Sequence, residues 1–318
     1  MKALIYTQTR ALGVLKVQDM ITPHPKKKQV QIAVRACALN IGDYQRFITK
    51  SGKISMVAKF TNKLMCYVGK PIGVEVSGVV TAVGNEVTHV KVGDAVKTSS
   101  GGLAEYAIMD HNQVCQKPTN LTFEEACCIS VSFETALGAI RKANIKQDQS
   151  VMVYGASGGV GLYAVQLAKI FGATVTGVCS TRNLELAKAA GCTQVIDYKT
   201  HDFTQCPFKF DAILGINGCN PMYTYRSLLK SNGIFVGVGN ATQGMKAMLA
   251  SLISRHFTFF IESVMGQKDY LKVGKKLAEA CQLRPYIDEI FSVKNTSVAI
   301  KYAIKTHVQG KIVIRTNF

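Results

Sequence analysis

Where the run Ser150-Val-Met-Val-Tyr154 meets a helix-periodic stretch, the chain reads Gly155-Ala156-Ser157-Gly158-Gly159-Val160-Gly161. Small residues at a strand-to-helix junction meet three needs: a tight turn, backbone approach to a pyrophosphate, and close helix–sheet contact, with the phosphate on the helix N-terminus. From Ala156 the spacing is A-x-G-x-x-G, one alanine away from the dinucleotide fingerprint. The same residues spell G-x-S-x-G, the nucleophile elbow of a serine hydrolase, and Asp288 and His307 follow in hydrolase order. Position argues against hydrolysis, because an elbow normally follows several α/β units and leaves Gly161 without a task. A tight crossover with no ligand is the bland alternative.

Past the next strand stand Cys179-Ser180-Thr181-Arg182. A site for NAD usually carries Asp or Glu there for the ribose 2′-hydroxyl. Without a carboxylate to repel a 2′-phosphate, and with two hydroxyl donors and a guanidinium, the stretch predicts NADPH as cofactor. Thr181-Arg182-Asn183 could also simply cap the following helix. Tyr198 and Lys199, after the third strand of this series, are candidate walls for the adenosine end or plain surface residues.

No other constellation carries chemistry. The ten cysteines include no C-x-x-C pair, and the six histidines show no metal spacing, so no metal site is expected. Cys127-Cys128, in a helix-like stretch, read as reduced core thiols, with a vicinal redox pair as the alternative. The N-terminus lacks the apolar core of a secretory signal, and a cytoplasmic location is expected.

The elements that must position these residues fall into two styles. Up to about residue 117 short alternating strands dominate: KALIYT, QVQIAVRACAL, VSGVVTAVG, GDAVKT and LAEYAIM. From Thr122, which opens a capping box with Glu125, FEEACCISVSFETALGAIRKA has helical spacing. Strands and helices then alternate through FTFFIESV, a rhythm that predicts an α/β, doubly wound, mostly parallel sheet. The tail IDEIFSV, VAIKYAIKT and GKIVIRT is β-rich again and could return to the first domain. At 318 residues two domains are expected, and 47% apolar against 18% charged residues, with no run approaching the roughly 18 apolar residues of a membrane span, excludes disordered and transmembrane classes.

The net charge of +18 is lopsided: thirteen basic and two acidic residues precede Glu75. Between Asp43 and Glu75 lie Arg46, Lys50, Lys53, Lys59, Lys63 and Lys70 without a carboxylate. Taken as a helix, Val57, Phe60, Leu64 and Val68 share one stripe, opposite Lys59, Lys63 and Lys70. Residues 50–70 thus offer a solvated lysine face, a contact to an anionic membrane, or a receptor for an acidic substrate. Nucleic acid is not expected, for want of aromatic interleaving or a known module.

Several motifs together resemble one family. Ala-Leu-Asn40-Ile-Gly-Asp43, Gly73-x-Glu75-x-x-Gly78, Val92-Gly-Asp94, Gly101-Gly-x-Ala-Glu105-Tyr106, the Gly155–Gly161 loop and Gly310-Lys311 are similar to the zinc-independent medium-chain dehydrogenases/reductases of quinone-oxidoreductase type. The resemblance spans essentially the whole chain. It implies a GroES-like β-rich catalytic domain (1–121 and 285–318) and a Rossmann NADP-binding domain (122–284). Zinc relatives carry a cysteine at Asn40 and Gly-His-Glu at Gly73-Val74-Glu75, so the metal ligands are missing. The implied activity is hydride transfer from NADPH to a quinone or an α,β-unsaturated carbonyl. The alternatives are an enoyl-thioester reductase and a catalytically weak NADPH-binding interaction or sensor protein.

The resemblance also assigns residues. Asn40 would polarise the acceptor oxygen, Asp43 would hold its loop, Tyr44 is an acid candidate displaced by one position from the family's tyrosine, and Thr135 would face the nicotinamide unless it is a helix-interior threonine. Gly215 to Asn217 and Gly239-Asn240 would bring backbone to the cofactor, although turn glycines look the same. FTFFIESV resembles the edge strand through which family members pair, implying a homodimer.

Overall fold

The computed structural model describes residues 1–6, 15–44, 70–216, 218, 220–238, 241–260 and 268–318. Residues 45–69, with the basic stripe apart from Lys70, lie outside them, as do Asn217, Gly239, Asn240 and the Tyr44 side chain.

The chain divides into two compact units. The first comprises Met1–Ser130, Gly266–Glu279 and Ile287–Phe318; the second comprises Val131–Met265 and Ala280–Tyr286. Their border falls at 130/131 rather than 121/122, and 266–279 joins the strand-rich unit.

In the first unit β1 (Lys2–Tyr6) pairs with β2 (Leu15–Asp19). The larger sheet is built on β3 (Gln29–Leu39), eleven residues of alternating Val, Ile and Ala whose inward positions are fully buried. Around it stand β4 (Glu75–Val83), β5 (Ala95–Thr98), β6 (Tyr106–Asp110), β7 (Val114–Gln116), β14 (Ile287–Ser292) and β15 (Lys311–Arg315), in the order β14-β15-β3-β4-β5-β7 with β6 also paired to β3. The returning tail therefore delivers β15 directly against β3, as its β-rich composition suggested.

A short helical turn α1 (Ile41–Tyr44) follows β3, and α2 (Phe123–Cys127) begins at the expected capping box: the Thr122 side chain accepts from the Glu125 N–H while the Glu125 carboxylate accepts from the Thr122 N–H. The single helix suggested by FEEACCISVSFETALGAIRKA is two, because the chain turns at Cys128–Ser130 before α3 (Val131–Lys142). Ser132 to Ile140 of the second half and Ala126 and Cys127 of the first are buried, with Phe123 half-buried, so the apolar period runs on across the turn.

The second unit carries the predicted parallel sheet. Its strands are β8 (Ser150–Tyr154), β9 (Thr174–Cys179), β10 (Gln194–Asp197), β11 (Phe210–Gly215), β12 (Leu229–Val238) and β13 (Phe257–Phe260), in the order β10-β9-β8-β11-β12-β13. Helices α4 (Gly159–Ile170), α5 (Leu184–Ala190), α6 (Met222–Leu228) and α7 (Ala241–Ser251) connect them. One face of the sheet is filled by Met152, Phe210, Tyr225 and Phe235, with the last two rings stacked at 4.4 Å. The strand order reverses between β8 and β11, which is where such sheets open a binding crevice. Two more helices belong to the first unit, α8 (Lys268–Glu279) and α9 (Thr296–Lys305). α8 was not apparent from the sequence. It is held by the Asn120 amide, which donates to the Ala278 carbonyl at 2.8 Å, and by the Thr119 N–H, which donates to Glu279 at 3.2 Å.

Candidate active site and dinucleotide site

In the second unit the glycine loop has the local geometry its spacing requires. Gly155 leaves β8 at φ 89°, a conformation that disfavours any side chain. A Cβ on Gly161 would overlap the Gly155 carbonyl, so the helix start lies directly on the turn. Ala156 replaces the fingerprint's first glycine without crowding, because its buried methyl faces Gly177 of β9, where a second methyl would sit only 3.0 Å away. Gly158 is the N-cap of α4 without a side-chain cap, leaving first-turn N–H groups for an anion. Gly215 ends β11 beside the loop, its register partner being Tyr154. These features fit a pyrophosphate.

The turn after β9 is organised differently from either sequence reading. Asn183 caps neither the turn nor α5 with its side chain. Its buried amide instead donates to Ser157 Oγ at 2.9 Å and to Ser180 Oγ at 3.2 Å, tying the glycine loop to the strand end. Both hydroxyls accept, so each keeps its own proton for a ligand oxygen. A carboxylate, which the sequence reading excluded here, is present: Asp197, at the end of β10, accepts from Thr181 Oγ1 at 2.6 Å and from the Lys199 N–H at 2.9 Å. The Thr181 bond foremost, with the Lys199 N–H, holds the Asp197 carboxyl below its usual range. Thr181 therefore spends its proton on Asp197 rather than offering it to a phosphate. The missed signal was spatial, since β10 lies beside β9 with Asp197 opposite Cys179.

An open recess of about 440 Å³ adjoins these residues, lined by Tyr154, Tyr198, Lys199, His201, Phe203 and Asn220 among others. Tyr198 is 38% exposed, and the Lys199 ammonium lies 5.8 Å from its ring centre, at the long end of cation–π range. Arg182 is exposed on the same turn as Thr181. Thr135, on α3, is 7% exposed and donates to the Val131 carbonyl at 2.7 Å, the back-bond of a helix-interior threonine. The hydrolase reading finds no support: Ser157 is bonded to Asn183, and the Asp288 carboxylate accepts from Tyr302 at 3.2 Å and the Gln309 N–H at 3.0 Å.

In the first unit three neighbouring strands converge on Asn40. It follows β3, Glu75 begins β4 and Lys311 begins β15, and both outer strands pair with β3 at this end. The Asn40 Oδ1 accepts from Lys311 Nζ at 2.6 Å, and its Nδ2 donates to Glu75 Oε1 at 3.0 Å. The Lys311 ammonium also pairs directly with that Glu75 oxygen. An amide held at both ends cannot flip, and Nδ2 retains a second hydrogen. Burial opposes the Lys311 charge most strongly, but Glu75 and the nearby Cys128 and Cys127 outweigh it, and its pKa is raised. Asp43, 5% exposed, accepts from the Asn40 N–H at 2.8 Å, while its carbonyl accepts from the Tyr6 hydroxyl at 2.5 Å, so it holds the loop as the resemblance implied. Cys37, beneath the same strand end, is buried, which pushes its thiol well up.

At the positions where zinc relatives hold their metal, Asn40 and Val74 supply no ligand, and among the described residues no group of three or more His, Cys, Asp or Glu side chains could hold an ion. Residues 26–119 match the family model described as alcohol dehydrogenase GroES-like domain, and residues 190–314 match that described as zinc-binding dehydrogenase. The chain is 32% identical to the 2-methylene-furan-3-one reductase of Solanum lycopersicum, over 99% of its own length and 79% of the relative's. It is 29% identical to the chloroplastic NADPH-dependent alkenal/one oxidoreductase of Arabidopsis thaliana, with the same coverage. The quinone oxidoreductase structure from Coxiella burnetii superposes with a TM-score of 0.86 at 30% identity, over 99% of both chains. With a GroES-like unit, a dinucleotide-type parallel sheet and no zinc ligands at the family's metal positions, the chain belongs to the zinc-independent, quinone-oxidoreductase-like branch of the medium-chain dehydrogenase/reductase superfamily.

Proposed function

We propose that the protein is an NADPH-dependent oxidoreductase that reduces a quinone or the β-carbon of an α,β-unsaturated carbonyl. The observation that carries this reading is the glycine turn at the reversal of the strand order, where Gly155 takes φ 89°, Gly161 packs directly on the Gly155 carbonyl and Gly158 opens α4 without a side-chain cap. A bound nicotinamide dinucleotide would supply the hydride. The chain's own residues do the rest. Ala156 to Gly161 hold the pyrophosphate, and Ser157 and Ser180 donate to it or to the adjoining ribose. Arg182 and Lys199 set two cations against the single carboxylate of Asp197, whose lone pairs are engaged by Thr181 and the Lys199 N–H, and this balance supports a 2′-phosphate. Tyr198 walls the adenosine end, and Gly215, Asn217, Gly239 and Asn240 line the remainder.

Asn40 supplies the electrophilic contact, its remaining Nδ2 hydrogen donating to the oxygen on which negative charge develops. Lys311 and Glu75 fix that amide beforehand. Tyr44 is the candidate proton donor, and Thr135, whose hydroxyl is spent on the Val131 carbonyl, takes no part in the chemistry. The free edge of β13 in the described sheet supports a homodimer. The names of the relatives, an enone reductase type and quinone oxidoreductases, favour quinone and enone acceptors; an enoyl thioester is the second reading.

Following NADPH absorbance against 1,4-quinones, short and long enones and enoyl thioesters, with and without chelator, tests the proposal. Chelator-insensitive oxidation with a quinone or enone is expected. A metal requirement, preference for NADH, or turnover confined to thioesters overturns it.

A further inference from the structure

The second unit has another open recess, of about 480 Å³, at the far end of α4 from the glycine turn. One wall is the last turn of α4 with Lys169, and another is the C-terminal end of α5 at Ala189 and Ala190. The third is the strap Ala280–Tyr286, which lies between two stretches of the first unit in the chain. That strap is clamped. Gln166, 7% exposed, donates from its amide to the Arg284 carbonyl at 3.1 Å, and its Oε1 accepts from the Arg284 N–H at 2.9 Å. With both backbone polar groups bound, Arg284 carries its side chain from a fixed point of the wall.

Two cations line the recess, and neither is spent on the protein. Arg284 Nε donates to the Tyr286 hydroxyl at 2.9 Å and the guanidinium lies 4.8 Å over that ring, which orients the group and leaves its Nη1 and Nη2 hydrogens for an oxygen ligand. Lys169 runs along Gly191, where a Cβ would sit 2.8 Å from its Cδ, so close contact places its stem. A lysine in a last helical turn ordinarily complements the carbonyls there. Here those carbonyls are taken by the N–H groups that follow: Phe171, Ala173 and Gly172 close Leu167, Ala168 and Lys169, while Cys192 and Gly191 close Ala187 and Lys188. Among the described residues neither Lys169 nor Arg284 pairs with a carboxylate, and no residue lining the recess is Asp or Glu. Glu185, the acid of α5, is held by Lys188 at 2.9 Å.

An oriented guanidinium on one wall and an ammonium on another, in a recess of small-metabolite volume, fit a ligand with two acid groups, one for the planar fork and one for the point charge. Ile170, Ala189 and Ala190 border the same space and suit the short carbon chain between those groups. We infer that this recess binds a small organic diacid, either a dicarboxylate or a phosphorylated carboxylate. It lies apart from the glycine turn and does not depend on the oxidoreductase reading.

Cys281, exposed on the strap, is a reporter within the wall. The full chain is labelled with N-ethylmaleimide, an uncharged reagent, and modification is read at the Cys281 peptide by mass while glutarate or 2-phosphoglycolate is titrated. Saturable protection is expected, reaching about tenfold at ten times the dissociation constant by mass action, and the stronger of the two acids tells whether the second group is a carboxylate or a phosphate. Lys169→Met and Arg284→Met should each weaken protection about tenfold, the loss of one charge-assisted contact. Both variants keep the clamp, because Gln166 binds only the backbone of Arg284. Acetate, and sodium chloride at matched ionic strength, should protect little. Equal protection by sodium chloride reduces the effect to charge screening and overturns the inference, as does an unprotected wild type or protection that Lys169→Met/Arg284→Met retains.

Discussion

Lys311 and Glu75 form an ion pair in which the side chains are 4% and 0% exposed, joining the start of β15 to the start of β4 across the end of β3. Removing one partner of such a pair strands a buried charge, whereas removing both is far milder. Lys311→Met should therefore cost about 3–5 kcal/mol, and Lys311→Met/Glu75→Leu clearly less, read from urea unfolding midpoints. The raised Lys311 pKa gives the sign with pH: its stabilisation is complete below the unfolded lysine value of about 10.4 and is lost as pH rises through the folded value. The stability difference between wild type and Lys311→Met should thus be constant from pH 7 to 9 and shrink only in strong alkali.

Asn40→Ala removes the proposed donor and leaves the ion pair beneath it. A fall in kcat of about 100-fold is expected with NADPH affinity unchanged, the size seen when one oxyanion donor is lost. Steady-state and binding measurements together check it. Lys311→Met acts through Asn40, so its surviving activity should follow kcat rather than KM.

Asn183 holds two hydroxyls that belong to different elements. Asn183→Ala should weaken NADPH binding about tenfold, the loss of one to two buried hydrogen bonds, with little effect on acceptor KM. Calorimetric titration of the cofactor decides it, and unchanged affinity would remove Asn183 from the site.

Asp197→Asn should raise the preference for NADPH over NADH. The variant removes the negative charge beside the proposed 2′-phosphate while its amide oxygen still accepts from Thr181 or the Lys199 N–H. The wild-type carboxyl sits below its usual range, so it is fully charged at neutral pH and the ratio of the two affinities should be flat from pH 6 to 8.

Buried thiols should be silent. Burial pushes Cys179 to about 11 and Cys192 to about 12, and pushes the Cys37 and Cys127 thiols well up. Alkylation of the native protein at pH 8, read by peptide mass, should mark the exposed Cys281 and spare these four.

The sequence made the modular parts legible because each is local. The Thr122–Glu125 capping box, the β8-glycine-α4 junction and the β-α-β rhythm depend on neighbours within a few residues. Pairings between distant residues were not legible. Nothing in the spacing joins Glu75 to Lys311, 236 positions later, or Asn183 to Ser157, although an acid in the apolar run GVEVSGVV requires a buried cation somewhere. Asp197 was missed for the same reason, because counting forward from the glycine loop follows one strand and not its neighbour. Helix α8 carries helical apolar spacing in Tyr270, Leu271 and Ala278, but nothing in that local pattern says that it packs with the strand-rich unit. Of the basic face Lys59, Lys63 and Lys70, only Lys70 is among the described residues, and it is exposed.

The insertion of the second unit between the parts of the first has a consequence for biosynthesis. Val131–Met265 emerges from the ribosome as one continuous stretch and has nearly all its sheet partners at hand. The first unit cannot close in the same way, since β3 waits for β15, and Asn40 for Lys311, until 315 residues have been made. During that interval the Ala36–Leu39 end of β3, the stretch that β15 pairs, is an unpaired template for other strands, while β6 covers Gln29–Ala33. Nascent chains stalled before residue 311 should thus hold a folded dinucleotide module beside an unfinished reaction centre, and it is these, rather than full-length chains, that a chaperone would need to shield.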